Sequence, residues 1–295
     1  MLNKKQFKLF NQNIPNYIYE LYEFWIWDFP KKELDSKISE VYNIMKSRTK
    51  ANSPKVTIVV PAHKEEKYIL WTLKSLALQS FEDVEFLIVV NWEKRNSLTE
   101  IIAKSSWFNV VYEKTPWISN ARDIWLRNAN WKIIINTDAD TIHEKEWVSN
   151  IIKLMETKNI QYWAWFSRMI TKNQIVFHYH ELMGMTHFLK QKAWNKFVTW
   201  FCEADSFFYK DIAIKAWWWD SNIRLAEWID IFKRMEKLYK NDFLHIEDWI
   251  INYTSPRRYD WQSILKHAFL ANYNWVLLSL WIKPKVDEDV YPNIR

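Results

Sequence analysis

From residue 55 onward the chain alternates short, continuous apolar runs with longer stretches in which apolar residues recur every three to four positions. The short runs are VTIVV (56–60), EFLIVV (85–90), FNVVYEK (108–114) and KIIINTDAD (132–140). Unbroken runs of this length predict strands buried on both faces. Between them, EEKYILWTLKSLALQ (65–79), NSLTEIIAKSS (96–106) and SNARDIWLRNA (119–129) carry the helical period. Such alternation predicts an α/β fold, a parallel sheet with helices on both faces. Upstream, Leu34, Ile38, Val41 and Met45 recur at helical spacing until Ser53 and Pro54 break it, so 1–54 reads as a helical extension. Beyond residue 160 the pattern loosens. QYWAWFSRMI (161–170) and TWFCEADSFFY (199–209) are strand-like, a helix is expected from about 174 and another over 225–240, and 261–295 reads as a C-terminal helical tail.

Composition alters this picture at the turns. The chain has 21 tryptophans and one glycine, Gly184, whereas ordinary usage gives about 20 glycines in this length. Several tryptophans sit where a turn or helix end calls for glycine. Trp217 and Trp218 follow a helical run, Trp131 lies between a helix and a strand, and Trp92 follows Asn91 at a strand end. Trp71 and Trp125 belong to the same set. The expectation is that the gene writes glycine as UGA and that these positions have been rendered as Trp; UGG codons at Trp71, Trp125 and Trp217 would refute it. Trp147 and Trp219 have no context that needs glycine and read as real tryptophans.

Charge and cysteine content exclude little. A formal charge of +6 suits a phosphate-bearing ligand or an ordinary solvated surface, and nothing points to a nucleic-acid partner. The single Cys202 excludes an internal disulfide and fits a cytoplasmic location. The opening MLNKKQFKLFNQNIPN lacks the apolar core of a signal peptide. The longest apolar run, AFLANYNWVLLSLWI (268–282), is too short and interrupted to span a membrane. It predicts a buried helix, with peripheral contact to the inner face of the membrane as the other reading.

In an open α/β sheet, ligands bind outside the carboxyl ends of the strands. Those ends carry PAHKEE after the first run, Asn91 after the second, and Asp138-Ala139-Asp140-Thr141 after the fourth. Two carboxylates one residue apart on such a loop suit a hard divalent cation, Mn²⁺ or Mg²⁺, shared with substrate phosphates. The same residues also allow a plainer reading, in which Thr141 and Glu144 form a capping box ahead of a helix in HEKEWVSNII (143–152). His178, His180 and His187 do not suggest zinc, because His178 and His180 face apart on a helix.

The ordered segments VTIVVPAHKEEKYILWTLKSL, FLIVVNWEKRNS, TPWISNARDIWLRNANWKIIINTDADT and YKDIAIKAWWWD resemble glycosyltransferase family 2 with glycine written as Trp. The resemblance covers about 55–260. It implies the GT-A fold and a hexosyltransferase-like, inverting transfer of sugar from a nucleotide-diphosphate donor to a hydroxyl acceptor on a glycan, lipid or protein. It further implies that Pro61, Ala62 and Glu65 cradle the nucleobase and ribose, with Arg122 near the nucleotide. Asn91 stands where the family has an acidic residue against the base. Asp138 would lie by the ribose or metal and Asp140 would coordinate the metal, forming the DxD motif. The family's base is usually an ED pair. Here the stretch reads Glu227-Trp228-Ile229-Asp230, so Glu227 and Asp230 are the candidates. Two alternatives are a sugar-phosphate nucleotidyltransferase, against which the glycine-free PAHKEE loop argues, and a Trp-rich carbohydrate-binding protein, which requires real tryptophans.

Overall fold

The computed structural model describes residues 18, 31–48, 54–91, 95–114, 124, 126, 128–165, 167–171, 173–194, 205–216, 227–240 and 250–255. The expected apolar runs become strands β1 (Val56–Ala62), β2 (Val84–Asn91), β3 (Asn109–Glu113) and β4 (Ile133–Asn136). All four are parallel, in the order β3-β2-β1-β4. Val56 through Val60 are consecutive and all buried, as are Ile88, Val89, Ile134 and Ile135. A strand covered on both faces needs no polar alternation, which is why these runs are continuous. Helices α1 (Lys31–Ser47), α2 (Ile69–Ala77) and α3 (Leu98–Ser105) are formed by the stretches with helical period.

The expected N-terminal helix packs onto the core through Val41, with Leu34, Ile38 and Met45 alongside. Arg48 anchors its end. The guanidinium donates to the carbonyls of Ala77, Gln79 and Phe81 at 2.9, 2.6 and 2.6 Å, satisfying one open carbonyl at the end of α2 and two in the turn that follows it.

The second part of the fold is mostly antiparallel. After β4 come β5 (Thr141–His143), α4 (Trp147–Lys158), β6 (Tyr162–Trp165), β7 (Arg168–Met169), α5 (Gln174–Trp194), β8 (Asp205–Tyr209), α6 (Lys210–Lys215), α7 (Glu227–Leu238) and β9 (Asn252–Thr254). Strand β8 pairs antiparallel with β4, and β6 with β8, extending the main sheet to six strands. A separate three-stranded sheet runs β5-β9-β7, with β7 and β9 the one parallel pair of this part among the described strands. The strand-like stretch 161–170 therefore serves two sheets, and the chain crosses between them at Ser167. The fold class is the expected α/β one, with a parallel-rich central sheet.

The capping-box reading is corrected. Thr141 begins β5, and α4 starts at Trp147 with Glu146 as its cap. Glu144 instead accepts a hydrogen bond from Tyr253 at 2.9 Å, because β5 pairs with β9. Among the tryptophans expected to be glycine, Trp71 lies in mid-helix and fills a core cluster with Ile142, Ile170 and Tyr253, so its backbone makes no demand for glycine. Trp92, Trp125, Trp217 and Trp218 lie outside the described residues, as do 268–282 and the side chain of Trp228, whose backbone is in α7. No helix among the described residues is long and apolar enough to cross a membrane.

Candidate functional site

The strand order creates the site. The chain moves outward from β1 through β2 to β3, then returns so that β4 lies on the other side of β1. The loops leaving β1 and β4 therefore part, opening a crevice at their carboxyl ends. On the β1 side, Pro61 and Ala62 finish the strand, paired with Val89 and Val90 of β2. His63 Nδ1 lies 2.7 Å from the Asn91 carbonyl, joining the ends of β1 and β2. Lys64 takes a left-handed backbone, φ 55°, to turn the chain. Glu65 is buried, and its carbonyl accepts from the amides of Tyr68 and Ile69 to start α2. Its own amide donates to Thr99 Oγ1 at 3.0 Å. The Asn91 side chain is buried, with Oδ1 lacking a hydrogen-bond partner among the described residues.

Asp138 and Asp140 occupy the link between β4 and β5, where the chain leaves one sheet for the other. Asp138 is half-buried and Asp140 buried. Short hydrogen bonds fix this link from several sides. Thr72 Oγ1 donates to the Ala139 carbonyl at 2.8 Å and accepts from the Thr141 amide at 3.1 Å. Ser255 donates its amide to the Asp140 carbonyl at 3.2 Å. Thr137 Oγ1 lies 2.7 Å from His143 Nε2, and Ser75 Oγ lies 3.2 Å from the same ring's Nδ1. Burial lowers the His143 pKa to about 3, so the ring is neutral and bridges the two hydroxyls with one donor and one acceptor nitrogen.

A third carboxylate, absent from the sequence expectations, stands behind this link. Asp205 on β8 is 1 % exposed. Its Oδ2 accepts from Ser167 Oγ at 2.6 Å and from Asn252 Nδ2. Burial raises its pKa to about 6 and the Asp140 charge adds to that shift, against the hydrogen-bonding influence of Ser167, Thr137 and Asn252. Oδ1 has no partner of hydrogen-bond geometry among the described residues, although Thr137 lies close enough to influence the charge.

A profile of known families gives these features a frame. Glycosyl transferase family 2 matches residues 57–218, more than half of the chain. The chain belongs to glycosyltransferase family 2. An uncharacterised glycosyltransferase of Rickettsia conorii is 24 % identical over 110 residues, 37 % of this chain. Another, from Rickettsia felis, is 24 % identical over 107 residues, or 36 % of this chain. The matches span 18 % of the length of these two relatives. Among solved structures, the mannosyltransferase PcManGT from Pyrobaculum calidifontis, in complex with GDP-Man and Mn²⁺, has TM-score 0.56 at 13 % identity, covering 88 % of this chain and 78 % of that one. S. aureus TarS in complex with UDP has TM-score 0.50 at 14 % identity, covering 75 % and 66 %. At such identities the likeness shows the fold, which is that of GT-A glycosyltransferases.

In this family 2 glycosyltransferase the described site residues separate into two groups. Pro61, Ala62, Glu65, Asn91, Asp138 and Asp140 all lie at the carboxyl ends of β1, β2 and β4. Asp230 belongs elsewhere, on α7, where its Oδ2 accepts from Arg234 Nε at 2.9 Å while the same guanidinium donates to the Ala216 carbonyl. This arrangement ties α7 to the end of α6. Glu227 opens α7, its side chain lies outside the described residues, and so does Arg122. Although no cluster of three metal-binding side chains occurs among the described residues, the donor set at β4 suits a hard divalent cation in its chemistry. It is made of oxygens, two carboxylates share one strand-end link, and an orphaned buried carboxylate oxygen of Asp205 stands close by. Asp205 was legible only as a lone acid in the run EADSFFY; its importance comes from the antiparallel register of β8 against β4.

Proposed function

We propose that this glycosyltransferase moves a sugar from a nucleoside-diphosphate donor to a hydroxyl acceptor, with inversion, in the crevice between β1 and β4. The observation that carries this reading is the Asp138–Asp140 link, held by buried hydrogen bonds at the sheet's switch point. The ligands of the structural relatives, UDP with TarS and GDP-Man with PcManGT, support a nucleotide-sugar donor.

Pro61, Ala62 and Glu65 shape the nucleobase and ribose side, and Asn91 offers an amide to the base edge. Arg122 is assigned to the nucleotide by its place in the family motif SNARD. Asp138 and Asp140 would hold Mn²⁺ or Mg²⁺, which when bound supplies electrostatic stabilisation of charge on the departing diphosphate. Inversion requires a general base to take the acceptor hydroxyl's proton as the hydroxyl oxygen attacks from the face opposite the diphosphate. Glu227 is assigned that role. Asp230, engaged by Arg234, keeps α7 in place.

A panel of nucleotide-sugar donors, screened for hydrolysis and transfer with Mn²⁺ or Mg²⁺, tests the proposal. Turnover of at least one donor that stops on adding EDTA is expected. Absence of both nucleotide binding and turnover across the panel would overturn it.

A further inference from the structure

Asp205 is a buried acid outside the proposed mechanism. Because Asn136 pairs with Ser206, Asp205 lies beside the end of β4, where the Asp138–Asp140 link begins. Its Oδ2 gathers Ser167 from the crossing between β6 and β7, and Asn252 from β9. Asn252 in turn pairs with His143, whose ring holds Thr137. One side chain beside the link thus joins two segments distant in sequence from each other. Burying a carboxylate near another is unfavourable unless its charge or its hydrogen bonds are used. Hydrogen bonding alone does not require the charge, since an amide oxygen would also accept from Ser167 and Asn252.

We propose that Asp205 is a positioning residue that sets the Asp138–Asp140 link for cation and diphosphate binding, holding it against β7 and β9 and adding negative potential behind Asp140. This rests on the nucleotide-sugar reading above. Its test is calorimetric titration of the full chain with UDP and with GDP, with and without Mn²⁺, alongside thermal unfolding without metal. The wild type is expected to bind one of the two in Mn²⁺. Asp205→Asn is expected to bind it roughly tenfold or more weakly in Mn²⁺, with unfolding little changed and the metal-free affinity unaltered. Wild-type binding with an unchanged variant overturns the positioning role alone. Equal losses with and without Mn²⁺, tracking a lower unfolding temperature, reduce Asp205 to a structural residue and also overturn it. A wild type that binds neither nucleotide overturns the underlying reading as well. Should Asp205→Asn fail to fold, Ser167→Ala decides: a selective loss in Mn²⁺ supports the role, and no loss refutes it.

A different observation carries a second inference. Trp107 has φ 71° and follows α3, whose cap is Ser106. Its amide donates to the Lys104 carbonyl at 3.0 Å, and the Phe108 amide donates to the Ala103 carbonyl at 3.2 Å. These two bonds define a Schellman motif with Trp107 at the left-handed position that glycine fills without a Cβ clash. The indole itself is about half exposed, at 46 %, so burial does not explain a bulky side chain there. We infer that the natural protein carries glycine at 107, encoded by UGA. Sequencing the codon and weighing the peptide that spans 105–114 from the source organism tests this. UGA together with a glycine-mass peptide is expected; UGG, or a tryptophan-mass peptide, overturns it.

Discussion

The parallel half, β1 to β4, and the antiparallel half, β5 to β9, are stabilised differently. In the parallel half, the interior is largely aliphatic and the strands are consecutive in the chain, with α2 following β1 and α3 following β2. The antiparallel half brings together segments more than forty residues apart, such as β4 with β8 and β5 with β9. It secures them with buried polar pairs. Arg168 and Glu181 form a two-point ion pair at 3.1 and 3.2 Å, with the guanidinium over the Phe177 ring. Asp205 ties Ser167 to Asn252 in the same way. Directional bonds specify a register that nonspecific apolar contact leaves loose, at the cost of desolvating charge. Asp138 and Asp140 sit at the seam, so the chemistry proposed for them draws on both halves.

Substitutions can separate these contributions. Asp140→Ala should have the largest effect, lowering cation-dependent transfer by roughly a hundredfold or more while unfolding stays near wild type; retained activity in a donor assay would refute the assignment. Arg168→Met strikes the antiparallel half by leaving Glu181 buried without its partner. A loss of about 3–5 kcal/mol is expected in denaturant unfolding, with most of it restored by adding Glu181→Leu.

Acid should reveal the buried groups. His143 and His180 are both lowered to about 3 by burial, with the Arg168 charge adding at His180. Each contributes stability above pH 6.5 that is lost as pH falls toward 3, because the unfolded chain binds the proton first. Asp205, raised to about 6, has the opposite slope: its proton is held more tightly in the fold, so its contribution is lost as pH rises from about 4 through 6. Net destabilisation of a few kcal/mol is therefore expected on going from pH 7 to pH 4, and Asp205→Asn should steepen it. Unfolding midpoints across that range check both signs. The smallest change belongs to the parallel half, where Trp107→Gly should raise stability by about 1 kcal/mol by relieving the left-handed backbone, measured by the same unfolding.

Much of the parallel half was legible because its signals are local. VTIVV and EFLIVV announce buried strands, and PAHKEE and Asp138–Asp140 fall at strand ends, where a switch-point sheet collects them. The antiparallel half was less legible. Thr141 and Glu144 carry the spacing of a capping box, yet pairing with β9 draws Thr141 into a strand. Asp230 pairs with Arg234 one helical turn away, a contact its spacing already allowed, but the reach of the same guanidinium to Ala216 had no local signal. Trp71 joins a sound packed cluster, while Trp107, unremarked in the sequence pattern, holds the left-handed backbone.

The sequence by itself determined the alternating strands and helices, the family motifs and the carboxylates at the end of β4, since these depend on neighbours a few residues apart. Tertiary structure alone decided that Asp205, Ser167 and Asn252 meet behind Asp140. Those meetings depend on strand register across long separations, which hydrophobic periodicity does not encode.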